Sequence, residues 1–308
     1  MGQSSKELGY SDQLLILPFD HRGSFQSKMF GITGTPTAEE TKTISSYKSV
    51  IYDGFEKAVA SGLPKEMMGI LVDEQFGEDV IRRAKEGGFT VCICCEKSGL
   101  NEFDFEYGAD YPKHIEKFDP DFVKVLVRMN VEDDAEANKR SVKRLTELSQ
   151  YLRKTNRKFI FELLVPPTEA QLAKCKGDTE TYDCDIRPGL TIAAIKMLQD
   201  NDVEADVWKL EGMEREADYE AVVAATQEGG RDKVGTIVLG RGANDEKVRH
   251  WLKEGVNVDG VIGFAVGRTV FWNPLKEMQE GKISKEEAAS KIADIYGGFC
   301  RFWLESRN

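Results

Sequence analysis

Histidine is scarce: the 308 residues hold only His21, His114 and His250, which fall on distant and differently placed predicted elements. Metal-dependent bond cleavage usually draws on a cluster of imidazoles, so this scarcity argues against a metal centre. No run approaches the roughly 18 to 20 apolar residues that span a bilayer, and the start MGQSSKELGYSDQ lacks the apolar core of a signal sequence. A cytoplasmic protein with no membrane partner is therefore expected. There is no disulfide framework either: Cys92, Cys94 and Cys95 crowd one predicted strand, Cys175 and Cys184 share a loop, and Cys300 lies near the end. In an extended strand Cys92 and Cys94 face one way and Cys95 the other, so the three cannot close on one ion, and reduced thiols packed in a core are expected. No Gly/Ser-rich linker divides the chain, and Gly240-x-Gly242 lacks the third glycine of a dinucleotide-binding turn. The formal net charge of −11 opposes nucleic acid and anionic membranes. An anionic small molecule would have to be held by local cations.

What the sequence does have is a repeated alternation. Eight short apolar, β-rich runs start at Leu14, Met68, Thr90, Phe122, Lys158, Asp206, Thr236 and Val258. Between and after them lie segments of helical length, at about 38–61, 77–87, 110–118, 132–155, 189–200, 215–229, 244–255 and 284–305. Glycines at 62, 87, 88 and 255 suit their C-terminal caps. Eight strands alternating with eight helices predict one α/β domain, a (β/α)8 TIM barrel over residues 1–308, with residues 1–12 as a flexible N-terminal extension. In such a barrel the connections after strands carry the chemistry. Two of them are long, Phe30 to Thr37 and Pro166 to Pro188, and the second reads as a candidate lid.

Charged residues interrupt strands that should be buried. Lys124 lies in FVKVLV, Glu162 in FIFELL and Lys209 in DVWKLEG, while Asp20, His21 and Arg22 end LLILPFDHR. An unpaired buried charge costs on the order of several kcal/mol, so these residues are expected to pair, with Glu162 between the two lysines in strand order. A partly desolvated lysine beside another cation gives up its proton more readily and becomes a nucleophile. The last two strands run into glycine-rich cationic turns, Gly240-Arg241-Gly242 and Gly263 through Gly267-Arg268. Such turns hold phosphate on backbone N–H groups and at a helix start, and Arg241 or Arg268 can add a bidentate contact. The aromatic stretch Tyr296 to Trp303 reads as core or subunit packing.

These strings, FDHRG at Phe19 to Gly23, VDEQFG, VKVLV, FELL, VWKLEG, VLGRGA and GFAVGR, resemble the class I (Schiff-base) aldolase family of the tagatose-1,6-bisphosphate aldolase and DhnA type. The similarity runs in order along nearly the whole chain and is closest to the aldolase-like domain fused to 5-dehydro-2-deoxygluconokinase. That resemblance implies a Schiff base on Lys209, Glu162 as acid and base, Lys124 and Asp20 as polar partners, and Arg268 on a phosphate. It implies no metal and no cofactor, a phosphorylated ketose as substrate, a homo-oligomer, and a place in inositol catabolism. On it, 2-deoxy-5-keto-gluconate 6-phosphate is the expected substrate, yielding dihydroxyacetone phosphate and malonic semialdehyde. A tagatose-bisphosphate-like or sulfo-sugar-phosphate aldolase is the alternative, and a barrel that binds a sugar phosphate without catalysis is the alternative of another class. The chain departs from the tagatose enzyme at His21, where that family has Gln, and at Gly240, where it has Ser. These differences bear on substrate, not on the Schiff base.

Overall fold

The computed structural model describes residues 7–307. Strands β1 (Leu14–Pro18), β2 (Met68–Val72), β3 (Thr90–Cys94), β4 (Phe122–Arg128), β5 (Lys158–Leu164), β6 (Val207–Glu211), β7 (Gly235–Leu239) and β8 (Val261–Ala265) pair in parallel and in sequence order. β8 returns to β1, closing an eight-stranded barrel. Among the described residues twelve α-helices surround it: α1 (Gly23–Phe30), α2 (Ala38–Ala60), α3 (Glu74–Glu86), α4 (Tyr111–Phe118), α5 (Ala135–Lys154), α6 (Glu169–Lys174), α7 (Thr179–Asp185), α8 (Arg187–Gln199), α9 (Glu216–Gln227), α10 (Asp245–Gly255), α11 (Arg268–Gln279) and α12 (Lys285–Ser306). The TIM barrel expected from the apolar rhythm is the fold observed.

Alternation along each strand splits the core in two. Leu14, Ile16, Leu71, Phe122, Ile160, Val207 and Ile237 fill the barrel interior, whereas Leu15, Leu17, Val123, Phe161 and Trp208 meet the helices. Period two then decides the fate of three charged residues: Lys124, Glu162 and Lys209 stand two positions after Phe122, Ile160 and Val207, on the inner face at its C-terminal end. Cys92 packs inside the barrel and Cys95 outside it, the split expected from the strand. All six cysteines are free thiols. The aromatic end of α12 is core: Tyr296, Phe299 and Trp303 are buried against Phe264, and the Tyr296 hydroxyl donates to the Leu15 carbonyl at 2.8 Å. Burying each such ring stabilises the fold by roughly 1.5–3 kcal/mol.

The closing seam depends on Gly263. A Cβ there would lie 1.9 Å from the Leu14 carbonyl oxygen, inside the β1–β8 ladder itself. Only glycine allows that approach.

Four helices were not expected from the sequence. α1 and α11 grow directly out of the turns after β1 and β8, and α11 carries Pro274 inside it, which disguises its periodicity. α6 and α7 occupy the supposed lid, where Thr168 and Asp178 cap them through side-chain bonds. The loop at Phe30 to Thr37 joins α1 to α2 rather than following β1 directly. Part of the extension expected over residues 1–12 can be followed. Residues 1–6 lie outside the described residues, but from Glu7 the chain is tied down: Gly9 N–H donates to Asp206 at 2.8 Å and the Tyr10 ring packs edge-on against Phe122 at 5.2 Å. That segment covers the barrel floor, at the end opposite the charged cluster.

Candidate active site

At the C-terminal mouth of the barrel one ammonium gathers three carboxylates. Lys124 Nζ lies 2.7 Å from Asp20 Oδ2, 3.0 Å from Glu96 Oε1 and 2.8 Å from Glu162 Oε2. The other oxygen of Glu162 forms an ion pair with Lys209, Oε1 to Nζ 2.8 Å. Backbone register sets this up, because Glu162 and Lys209 are direct cross-strand partners on β5 and β6. Lys124 is 0 % exposed and Lys209 4 %, so both amines are held away from bulk water. Burial alone would lower the pKa of Lys124, but Asp20, Glu162 and Glu96 together drive it well above the ordinary lysine value. Glu162 feels burial pushing upward, outweighed by Lys124 and Lys209, and ends below the ordinary glutamate range. Asp20 is lowered for the same reason, against burial and chiefly by Lys124.

The cluster opens into a cavity of about 410 Å³. Asp20, His21, Arg22, Lys124, Glu162, Lys209, Gly240, Arg241, Gly242, Gly267 and Arg268 all line it, so the residues singled out in the sequence are brought to one place. Their freedom differs. Arg22 turns inward, with Nη1 on Glu106 at 2.7 Å and Nη2 on the Glu96 carbonyl at 2.5 Å. Arg241, in the left-handed region at φ 54°, pairs with Asp183 of α7 at 2.8 Å and with Glu211 at 3.3 Å. It thus ties the supposed lid to β6. Arg268 forms no ion pair among the described residues; its Nη2 donates to the Arg241 carbonyl at 3.0 Å. A Cβ on Gly242, at φ 77°, would sit 2.8 Å from that guanidinium nitrogen, so glycine keeps the passage clear. His21 packs edge-on against Phe271, and burial lowers its pKa to about 4, leaving a neutral imidazole at pH 7.

Three metal-ligand types do converge among the described residues: oxygens of Asp20 and Glu96 and the thiol of Cys94 lie within 4.8 Å of one another. The Lys124 ammonium, however, already bridges the two carboxylates, and burial pushes the Cys94 thiol upward so that it keeps its proton. The cation of this triad is the lysine. His114 pairs with Glu74 and stacks on Tyr107, and His250 pairs with Glu214 on the outer helices, so neither imidazole joins the cavity.

A model of the family described as "Uncharacterized protein conserved in bacteria (DUF2090)" matches residues 2–307. The chain belongs to DUF2090. No curated protein matches this DUF2090 sequence. Among solved structures, a fructose-bisphosphate aldolase from Plasmodium falciparum is similar with a TM-score of 0.65 and 11% identity, over 98% of this chain and 92% of that one. A Corynebacterium glutamicum protein is similar with a TM-score of 0.59 and 17% identity, over 94% and 86%. At such identities the likeness is one of fold. No helix of the described residues is long and apolar enough to cross a membrane.

Sequence reading missed three residues at the mouth of the DUF2090 barrel. Glu96 follows β3, where a charge after CICC reads simply as the strand leaving the core. Lys28 and Arg128 line the cavity and form no ion pair among the described residues. Arg128 was legible in principle, standing four positions after Lys124 on the same strand face.

Proposed function

We propose that the protein is a metal-independent class I aldolase that cleaves a phosphorylated keto sugar through a Schiff base on Lys209. One observation carries the reading: a buried lysine on β6 shares a single carboxylate with a second buried lysine on β4, at the open end of a TIM barrel. Glu162 takes a proton from Lys209, and the free amine adds to the substrate ketone. The carbinolamine loses its hydroxyl as water, with Glu162 returning the proton, and leaves an iminium. Electrons of the adjacent C–C bond flow into that iminium, so cleavage gives an aldehyde and an enamine. Hydrolysis of the enamine releases the ketone fragment and the lysine. Lys124 stays charged throughout and stabilises oxyanions on the substrate.

The phosphate is placed over the turns at Gly240, Gly242 and Gly267, with Arg268 as the cation free to meet it and the start of α11 behind. His21, neutral, hydrogen-bonds the sugar. Arg22 and Arg241 hold the rim through their ion pairs rather than by contact with phosphate. Following the resemblance, the substrate is 2-deoxy-5-keto-gluconate 6-phosphate, whose products are dihydroxyacetone phosphate and malonic semialdehyde.

Borohydride added to the protein with dihydroxyacetone phosphate should leave a reduced three-carbon adduct on the peptide containing Lys209, and none in Lys209→Ala. A panel of ketose phosphates, coupled to detection of triose phosphate, then identifies the substrate, with turnover unchanged by excess chelator. A parent protein that gains no mass, yet is thermally stabilised by the same sugar phosphates, would instead be a binding barrel.

A further inference from the structure

The Schiff-base reading leaves one proton unassigned: that of the substrate hydroxyl whose oxygen becomes the aldehyde when the C–C bond breaks. We propose that Glu96 Oε2 is the base that takes this proton in cleavage and gives it back to the alkoxide in condensation. The inference rests on the reading above.

Three carboxylates face the cavity within reach of Lys124, and they are not equivalent. Both oxygens of Glu162 are committed, Oε1 to Lys209 and Oε2 to Lys124, each at 2.8 Å. Asp20 is bound to Lys124 at 2.7 Å, and its affinity for a proton is depressed. Glu96 gives only Oε1 to cations, at 3.0 Å from Lys124 and 3.5 Å from Arg22. Its Oε2 is buried and has no hydrogen-bond partner. Glu96 lines the cavity, and a buried carboxylate oxygen left unpaired costs free energy, so its Oε2 is an acceptor that a donor brought in beside Lys124 would satisfy. A substrate hydroxyl is the donor that the chemistry supplies.

The residue is also rigid enough for the task. Its backbone bridges Phe105 across an isolated antiparallel contact, and its carbonyl receives Arg22 Nη2. The charged groups that act on it are Lys124 from β4 and Arg22 and Asp20 from the segment after β1, with the Cys94 thiol of β3 alongside and Glu106 behind Arg22. Burial, the largest influence, raises its pKa above the ordinary glutamate value, against the pull of Lys124 and Arg22. A base shifted toward neutral pH is a better match to reversible proton transfer than one pinned low. In the step itself the O–H proton moves to Oε2, the O–H electrons form the aldehyde C=O, the C–C pair enters the iminium as the enamine, and the proton leaves Glu96 for solvent once the aldehyde departs.

Glu96→Gln separates this role from mere neutralisation of Lys124 and Arg22. Borohydride trapping of dihydroxyacetone phosphate needs no hydroxyl base, so it should stay within about twofold of the parent, while kcat on the ketose phosphate that the parent turns over falls by about 10²–10⁴. Formate should restore part of the turnover in Glu96→Ala. The proposal is overturned if Glu96→Gln turns over within tenfold of the parent, or if trapping and turnover fall together, which is the mark of a structural role. A parent that does not trap at all sinks the Lys209 reading, and this one with it.

Discussion

Lys48 and Lys124 are both 0 % exposed, and they keep opposite company. Lys48, on α2, reaches one carboxylate, Asp73, and the Phe19 carbonyl at 2.9 Å. Lys124 reaches three carboxylates. Burial lowers Lys48 to about 7, whereas the three anions carry Lys124 well above its ordinary value despite the same desolvation. The pair shows desolvation outweighed by three contacting carboxylates at Lys124 and prevailing at Lys48. It also separates two duties. Lys48 fastens the segment before Asp20 to the capped start of α3, where Asp73 accepts Phe76 N–H at 2.9 Å. Lys124 balances the acids of the cavity.

The largest effect that would break the comparison comes from Lys124→Met. Removing the shared cation strands the buried Asp20 and leaves Glu162 and Glu96 with only Lys209 and Arg22, so unfolding by denaturant should show a loss of about 3–5 kcal/mol at pH 7, along with turnover. A loss under 1 kcal/mol would mean that the acids pair well enough without it. Lys48→Met should cost less, about 1–3 kcal/mol, because Asp73 keeps its bond to the start of α3. Adding Asp73→Asn, which still caps a helix, should recover part of that cost while borohydride trapping at Lys209 persists.

Smallest and sharpest is the pH slope. Between pH 7 and 10.5 an unfolded Lys48 is protonated more than a folded one whose pKa is near 7, so the unfolded state binds more protons and stability rises with pH, by at most about 1.4 kcal/mol per unit. Below about pH 9.5 Lys124 holds its proton in both states and adds no slope. Stability measured across this window should therefore lose that rise in Lys48→Met. An identical slope in parent and variant would show that Asp73 alone keeps Lys48 charged.

Most of the architecture was readable before the structure because each strand is a short apolar burst, and eight bursts admit few arrangements. The helices that escaped notice are those whose local signals conflict: Pro274 inside α11, the glycine start of α1, and the six and seven residues of α6 and α7. A capping pattern at Thr168 and Gln171 was nevertheless present. In the cavity, Lys124, Glu162 and Lys209 were visible because a charge on the inner face of a strand is out of place. Lys48 was not, since a lysine on a helix is unremarkable until the helix is packed. Glu96 was hidden by its position two residues beyond a strand end, where solvent is the usual neighbour.

Gly263 has a bearing on how this sequence can change over time. A barrel has no free edge on which a misfit can be absorbed, so a methyl group at the β1–β8 junction would be felt around the whole ring. Substitution at the mouth can retune what the protein recognises, but at this hem between first and last staves any added carbon meets the Leu14 backbone, and the two strands must part to take it.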